Sequence, residues 1–372
     1  MTNSNAWFAV RADASPQIGV GHIARCLALA EWAKDEGLKC IIITAYKSDF
    51  LEERAVTIDA EIAYLPESNS HSDQVYPHSH WLKGGQQLDA QNTKKHLNKK
   101  IQQLGTPPSF IIVDHYALGH PWESLLKEIA PILVIDDLND RPHDCSWLLD
   151  QTYGKNQHSY NGLIQDSKLL IGSDYTLLRK EFTKTKRIER TSPINELKIM
   201  VSLGGVDKDN VSLTICKALL SLKINFVIKI AIVTTSLNPN IGKLEAFASS
   251  NQNVVLLKNI KNIAAVMNKY DICIGAVGST TWERFSVGLP SVLCVTAENQ
   301  KQAALILEQD NLIQLIDIRK QEVKEQLQFK ISQLTQSPEK YLNNVKQISA
   351  VCDGFGAKRV LKHLLDQSEQ AL

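Results

Sequence analysis

Short apolar runs alternate with longer amphipathic stretches from one end of the chain to the other. In the first half the runs are Trp7–Ala12, Cys40–Ala45, Glu61–Leu65, Phe110–His115, Ile132–Asp137 and Trp147–Gln151. In the second half they are Lys198–Gly204, Phe226–Thr234, Asn253–Leu257, Ile272–Gly275, Ser291–Val295 and Leu312–Ile316. They are rich in Ile, Val and Leu without polar alternation, as expected of strands covered on both faces. Helices between such strands give right-handed crossovers and a doubly wound parallel sheet. The alternation pauses at Lys184–Pro193, a charged stretch reading KTKRIERTSP, which predicts a linker between two sheets of similar size. The expected organisation is a domain over 1–183, a linker over 184–193, a second domain over 194–349, and a helical tail over 350–372 that could pack back on the first. Two such α/β domains facing each other would leave a cleft, with ligands at the carboxyl ends of the strands.

Composition narrows the partners. The 372 residues hold 41 Lys+Arg against 40 Asp+Glu, a formal net charge of +1. That balance lacks the long-range attraction of a nucleic-acid or anionic-membrane binder, so neither partner is expected. No apolar run approaches the roughly 20 residues of a membrane helix. The first five residues, Met1 to Asn5, lack the basic start and apolar stretch of a signal peptide. Seven cysteines are scattered with no CxxC pair, which suits reduced thiols rather than disulfides or a thiolate zinc site. The expectation is a soluble, cytoplasmic monomer.

After the first run comes Arg11-Ala12-Asp13-Ala14-Ser15-Pro16-Gln17-Ile18-Gly19-Val20-Gly21-His22, followed by a helix over His22–Glu36. Gly19 and Gly21 at a helix start let backbone N–H groups approach an anion, where the helix dipole also favours negative charge. The same dipole disfavours a cationic imidazole, which would keep His22 in the neutral state a general base requires. Asp13 lies close enough in sequence to orient the ring. A dinucleotide fingerprint is a poor fit: the glycines come too long after the strand, and the second strand ends in Ala45-Tyr46-Lys47 without the ribose-binding acid. No nicotinamide or other cofactor is therefore expected.

A second glycine loop, Ala276-Val277-Gly278-Ser279-Thr280-Thr281-Trp282-Glu283-Arg284, follows a strand in the second half. The backbone N–H groups at Gly278 and the hydroxyls of Ser279, Thr280 and Thr281 fit a phosphate cradle, and Glu283 could accept hydrogen bonds from a ribose diol. Thr280-x-x-Glu283 is equally a capping box that needs no ligand. Ser202-Leu203-Gly204-Gly205, with Asp207 and Asn210 behind it, is either a wall of the cleft or a tight turn. Neither loop carries the lysine of a nucleoside-triphosphate P-loop. Asp136-Asp137 is a weak metal candidate, and His71, His78 and His80 in the polar stretch Ser68–Leu88 lack ligand spacing, so no metal is expected.

The ordered set of motifs resembles the UDP-sugar hydrolases of pseudaminic-acid biosynthesis. It comprises Arg11–Ser15 with Ile18–Ala30, Asp114-His115-Tyr116, Ile135-Asp136-Asp137, Leu149-Asp150-Gln151 and Tyr175–Arg179. It continues with Ser202–Gly205, Gly278–Arg284, Asn299-Gln300 and Asp353-Gly354-x-Gly356-Ala357-x-Arg359. The resemblance implies an α/β chain of GT-B type, two Rossmann-like domains, and metal-independent, inverting release of UDP from a 2,4-diacetamido-2,4,6-trideoxy-β-L-altropyranose. It puts the catalytic histidine on His22, with Tyr116 and Asn299 in support beside Asp13. It puts nucleotide or substrate contacts on Asn210 and Glu283; Arg11 and the loop residues Gly19, Gly21, Gly278, Ser279 and Thr280 are the further substrate-binding expectations. The chain departs from the family pattern in its long Ser68–Leu88 stretch and in Val277, where a small residue is usual. A transferase of the same fold would need an acceptor, a UDP-sugar 2-epimerase would return an epimer, and a nucleotide-sugar sensor would turn nothing over.

Overall fold

The computed structural model describes residues 5–15, 17–67, 75–82, 84–185, 188–295, 300–320 and 322–368. It divides into two units, one drawn from Met1–Lys180 with Phe355–Leu372, the other from Glu181–Gly354.

The first unit is built on seven parallel strands: β1 (Trp7–Ala12), β2 (Lys39–Thr44), β3 (Glu61–Tyr64), β4 (Ile111–Asp114), β5 (Ile132–Ile135), β6 (Trp147–Asp150) and β7 (Lys168–Ile171). Their order across the sheet is β3-β2-β1-β4-β5-β6-β7. The second unit holds β8 (Glu196–Ser202), β9 (Val227–Thr234), β10 (Val254–Lys258), β11 (Ile272–Ala276), β12 (Ser291–Cys294) and β13 (Gln314–Ile316), ordered β10-β9-β8-β11-β12-β13. In each sheet the chain winds outward from its first strand, then crosses back to add the fourth on the other side. The point of reversal, between β1 and β4 or between β8 and β11, is where an open α/β sheet leaves a crevice at its carboxyl edge. Both glycine loops leave the sheets at these points.

The period of two along β1 divides its side chains between two cores. Phe8, Val10 and Ala12 join one cluster with Ile23, Leu27 and Ala30 of the helix Gly21–Asp35. Trp7 and Ala9 join the other with Ile111, Trp122 and Leu148. The first cluster is completed from the far end of the chain: Ala357, Val360, Leu361 and Leu364 of the helix Gly356–Ser368 are buried against it. A buried Leu or Val contributes roughly 1.5–3 kcal/mol over leaving it exposed, so this last helix is a substantial part of the unit's core. Gly356 lets the helix approach: a Cβ there would lie 2.3 Å from the carbonyl oxygen of Thr176. The second unit's core gathers Ile199, Val201, Ile230, Ile232, Ile274 and Val292 around Ile215 and Leu219 of the helix Val211–Leu220. Among the described residues no helix is long and apolar enough to cross a membrane.

Candidate active site

His22 is the second residue of the helix Gly21–Asp35, and its side chain is buried, with 7% of the residue exposed. The loop before it closes on itself. Gly19 donates its N–H to the carbonyl of Ser15 at 2.7 Å, and Ile18 N–H donates to Ser15 Oγ at 3.1 Å. Gly19 takes φ +78°, a backbone region that favours glycine, while a Cβ at Gly21 would meet only open space.

The carboxylate on the His22 ring is Asp114, the last residue of β4. Pairing of β1 with β4 sets Ala12 opposite Asp114, which brings that carboxylate to the helix start. His22 Nδ1 lies 2.6 Å from Asp114 Oδ1. Arg25, one turn further along the helix, grips the same carboxylate: its Nε donates to Oδ2 at 2.5 Å and its Nη2 to Oδ1 at 2.7 Å. Burial by itself would raise the Asp114 carboxyl, but Arg25 and then His22 hold it well below the usual carboxylate range. An ionised Asp114 can only accept, so the proton in this contact is on Nδ1 of the imidazole. Arg25 Nη1 also donates to Asp137 Oδ2 at 2.9 Å, and the Tyr116 hydroxyl donates to Asp137 Oδ1 at 2.5 Å. Burial, together with the nearby Asp137, pushes the Tyr116 hydroxyl far above its ordinary value, so it stays protonated. The Tyr116 ring meets the His22 ring edge-on at 4.4 Å and 86°. His22, Arg25, Asp114, Tyr116 and Asp137 thus form one continuous polar group at the reversal point of the first sheet.

Two sequence expectations are corrected here. Asp13 does not orient His22. It accepts from Arg11 at 2.7 and 2.9 Å, from the Thr44 hydroxyl at 2.9 Å and from the Ala45 N–H at 2.8 Å, and it lies 3.2 Å from His115 Nε2. Nor is Arg11 placed to meet a substrate. Its side chain leaves β1 on the Trp7 face, is completely buried, and donates to Asp89 as well as Asp13. Together these groups form a buried ion network beneath the loop. The aspartates weighed for a metal are likewise committed. Asp137 serves Arg25 and Tyr116, while Asp136 pairs with Arg141 at 2.8 Å and accepts from the Asn139 N–H.

The sequence pointed to no role for Trp81, which comes from the long polar stretch. Its ring stacks on Tyr116 at 5.7 Å and 25° and lies 6.1 Å from His22. His78 packs against both Trp81 and Tyr116, at 4.6 and 5.3 Å. His71 and Asn299 lie outside the described residues.

In the second unit, Gly278 takes φ +153° between β11 and the helix Thr280–Ser286, with Ser279 and Thr280 exposed. Ser279, rather than Thr280, stands at the cap position of this helix, without a side-chain cap hydrogen bond. Instead the two threonine hydroxyls accept from a completely buried guanidinium, Arg284, at 3.2 Å (Thr280) and 3.0 Å (Thr281). Arg284 also donates to the carbonyl of Ala276 at 2.9 Å. A Cβ at Gly275 would lie 2.9 Å from Arg284 Nη1, so the strand glycine makes room for the arginine. Glu283 lies on the same helix, half-buried. At the carboxyl end of β8, Gly204 has φ +90°, and Asp207 caps the helix Val211–Leu220 through the N–H groups of Val211 and Ser212, both at 2.9 Å. Asn210 is spared that duty: it sits in the left-handed region at φ 54°, and its buried Oδ1 has no hydrogen-bond partner among the described residues.

Residues 205–363 match the glycosyltransferase family 28 C-terminal domain. A UDP-2,4-diacetamido-2,4,6-trideoxy-beta-L-altropyranose hydrolase from Campylobacter jejuni is 29% identical over 261 residues, covering 70% of this chain and 80% of its own. Among solved structures, MurG of Acinetobacter baumannii superposes with a TM-score of 0.65 at 13% identity, covering 97% of this chain and 99% of its own. The UDP-GlcNAc 2-epimerase of Neisseria meningitidis, solved with UDP-GlcNAc bound, gives 0.61 at 16% identity, covering 97% and 100%. The chain therefore has a GT-B-like fold of two parallel-sheet α/β units, and in sequence it resembles the Campylobacter hydrolase.

Proposed function

We propose that this chain hydrolyses the anomeric C–O bond of UDP-2,4-diacetamido-2,4,6-trideoxy-β-L-altropyranose, releasing UDP and the free sugar, with His22 as the base that activates water. The observation that carries the reading is the 2.6 Å contact of His22 Nδ1 with an Asp114 carboxylate that Arg25 holds ionised. That contact orients the imidazole and stabilises the imidazolium formed as Nε2 takes a proton from water. The water oxygen bonds to C1 as the C1–O bond breaks, and the electron pair leaves on the β-phosphate oxygen of UDP. A nucleoside diphosphate is already a good leaving group, so one base is enough where an ordinary glycosidase needs two carboxyl groups. Attack from the face opposite UDP inverts the anomeric centre. Tyr116, anchored on Asp137, positions the sugar or the water.

The Gly278–Thr281 turn and Glu283 are assigned to UDP. Arg284 places a buried positive charge behind that turn, and its donation to Thr280 leaves the threonine's own O–H to donate outward to a phosphate oxygen. Asn210, whose carboxamide oxygen has no hydrogen-bond partner among the described residues, is assigned to the same ligand.

The test is UDP release from this UDP-sugar, with no acceptor present, by the wild type and by His22→Asn. Loss of about 10²–10⁴-fold in the variant, with an unchanged melting temperature, is the expected result for removal of a general base. Unchanged turnover in the variant would remove His22 from the mechanism. A wild type that releases no UDP without an acceptor, or returns an epimer, would overturn the hydrolase reading itself.

A further inference from the structure

Trp81 is unlike the core tryptophans. Trp7, Trp122 and Trp147 are at most 1% exposed and fill the space between strands and helices. Trp81 is half-buried, at the carboxyl edge of the first sheet, in a 3-10 turn over Ser79–Trp81. One ring neighbour is Tyr116, stacked on it, and another is His22 itself. A cavity of about 80 Å³ adjoins it, bordered by Tyr46, Leu65 and Leu82 and by the polar side chains of Glu67, Asp89 and Asn92.

The turn is also held in place. The Tyr46 hydroxyl donates to the Trp81 carbonyl at 3.1 Å, the Tyr76 N–H donates to the buried Ser79 hydroxyl at 2.8 Å, and Leu82 is buried. His78 packs at a tilt of 46° against both Trp81 and Tyr116. The ring therefore has a fixed position next to the imidazole.

We propose that Trp81 is a substrate-contacting residue, giving the sugar an aromatic surface beside His22. This rests on the function proposed above. The sugar assigned there carries a C6 methyl and two acetamido methyl groups, so it presents more apolar surface than an ordinary hexose. An aromatic ring with one wet edge suits such a ligand, because it buries C–H groups while polar substituents stay free to hydrogen-bond. The same contact orders the sugar relative to the base, so its loss acts on the sugar half of the substrate and leaves the nucleotide half alone.

The experiment compares wild type, Trp81→Leu and Trp81→Phe for kcat/KM on the UDP-sugar, for inhibition by UDP alone, and for melting temperature. Leucine keeps apolar bulk without an aromatic face; phenylalanine keeps the face. Trp81→Leu is expected to lower kcat/KM about tenfold, the kinetic equivalent of about 1.4 kcal/mol. The UDP inhibition constant should not move, and Trp81→Phe should recover most of the loss. If Trp81→Leu matches wild type, or if it weakens UDP inhibition by the same factor as kcat/KM, the proposal fails. Equal loss in Trp81→Phe and Trp81→Leu, with a matching fall in melting temperature, would make Trp81 structural and also overturn it. In each of those cases wild-type turnover persists; a wild type without UDP release fails the underlying function instead, and the proposal with it.

Discussion

Asp114 stands 92 residues from His22 in sequence, and their contact exists because β1 and β4 are neighbours in the sheet. Replacing it with asparagine leaves a group of the same size that can donate to Nδ1, favouring the wrong tautomer and leaving Arg25 without its nearest counter-charge. Asp114→Asn should therefore lower kcat by about 10²–10⁴-fold, judging by the effect of the equivalent change in a His–Asp pair. The substitution also has a signature in acid. The folded-state pKa of Asp114 is depressed, so its ionised form contributes stability in full above the unfolded value near pH 4, and that contribution is lost as pH falls below it. A plot of melting temperature against pH should be shallower below about pH 4 in the variant than in wild type. A parallel pair of curves would contradict the ion pair. The sequence singled out His22 by the glycines before it and Tyr116 by its motif, and the structure sets their rings edge to face. Asp114 was visible in the same motif but not its role, because no local spacing reveals which carboxylate the sheet order delivers to the helix start. Asp13, the nearer candidate, is taken up by Arg11, which needs two carboxylates because it is buried whole.

At the scale of elements, the apolar runs located twelve of the strands to within a few residues, since a strand buried on both faces is written as a continuous hydrophobic block. The missed strand, β7, is a four-residue edge strand that opens on Lys168 and pairs on one side only, with β6. Only Leu170 of its four residues is fully buried, so it lacks the two-sided burial that makes the central strands conspicuous. The helix Gly356–Ser368 shows a dependence that local sequence conceals: its first residue faces the backbone of Thr176, nearly the whole chain away from β1. Gly356→Ala would place a methyl group against main chain that has no side-chain rotamer to yield. A loss of about 1–3 kcal/mol in unfolding free energy is expected by chemical denaturation, the range for overpacking a tight contact. A variant as stable as wild type would show that the helix does not seat as closely as described.

Taken as a whole, the chain repeats one solution in its two units. Each has a parallel sheet that reverses direction after its third strand, and each carries a glycine loop at the reversal. In the first unit the loop leads to a histidine on an ionised carboxylate. In the second it covers a buried arginine whose donors end on threonine hydroxyls. The proposed function assigns the first to activating a nucleophile and the second to holding an anion. The most direct test of that assignment is single-turnover hydrolysis of the UDP-sugar in heavy-oxygen water, with NMR and mass spectrometry on both products. Label on C1 of the sugar, none in UDP, and a first-formed anomer opposite in configuration to the substrate are predicted. Label on the UDP phosphate, or a first-formed anomer of retained configuration, would contradict attack at C1 by a water that His22 activates.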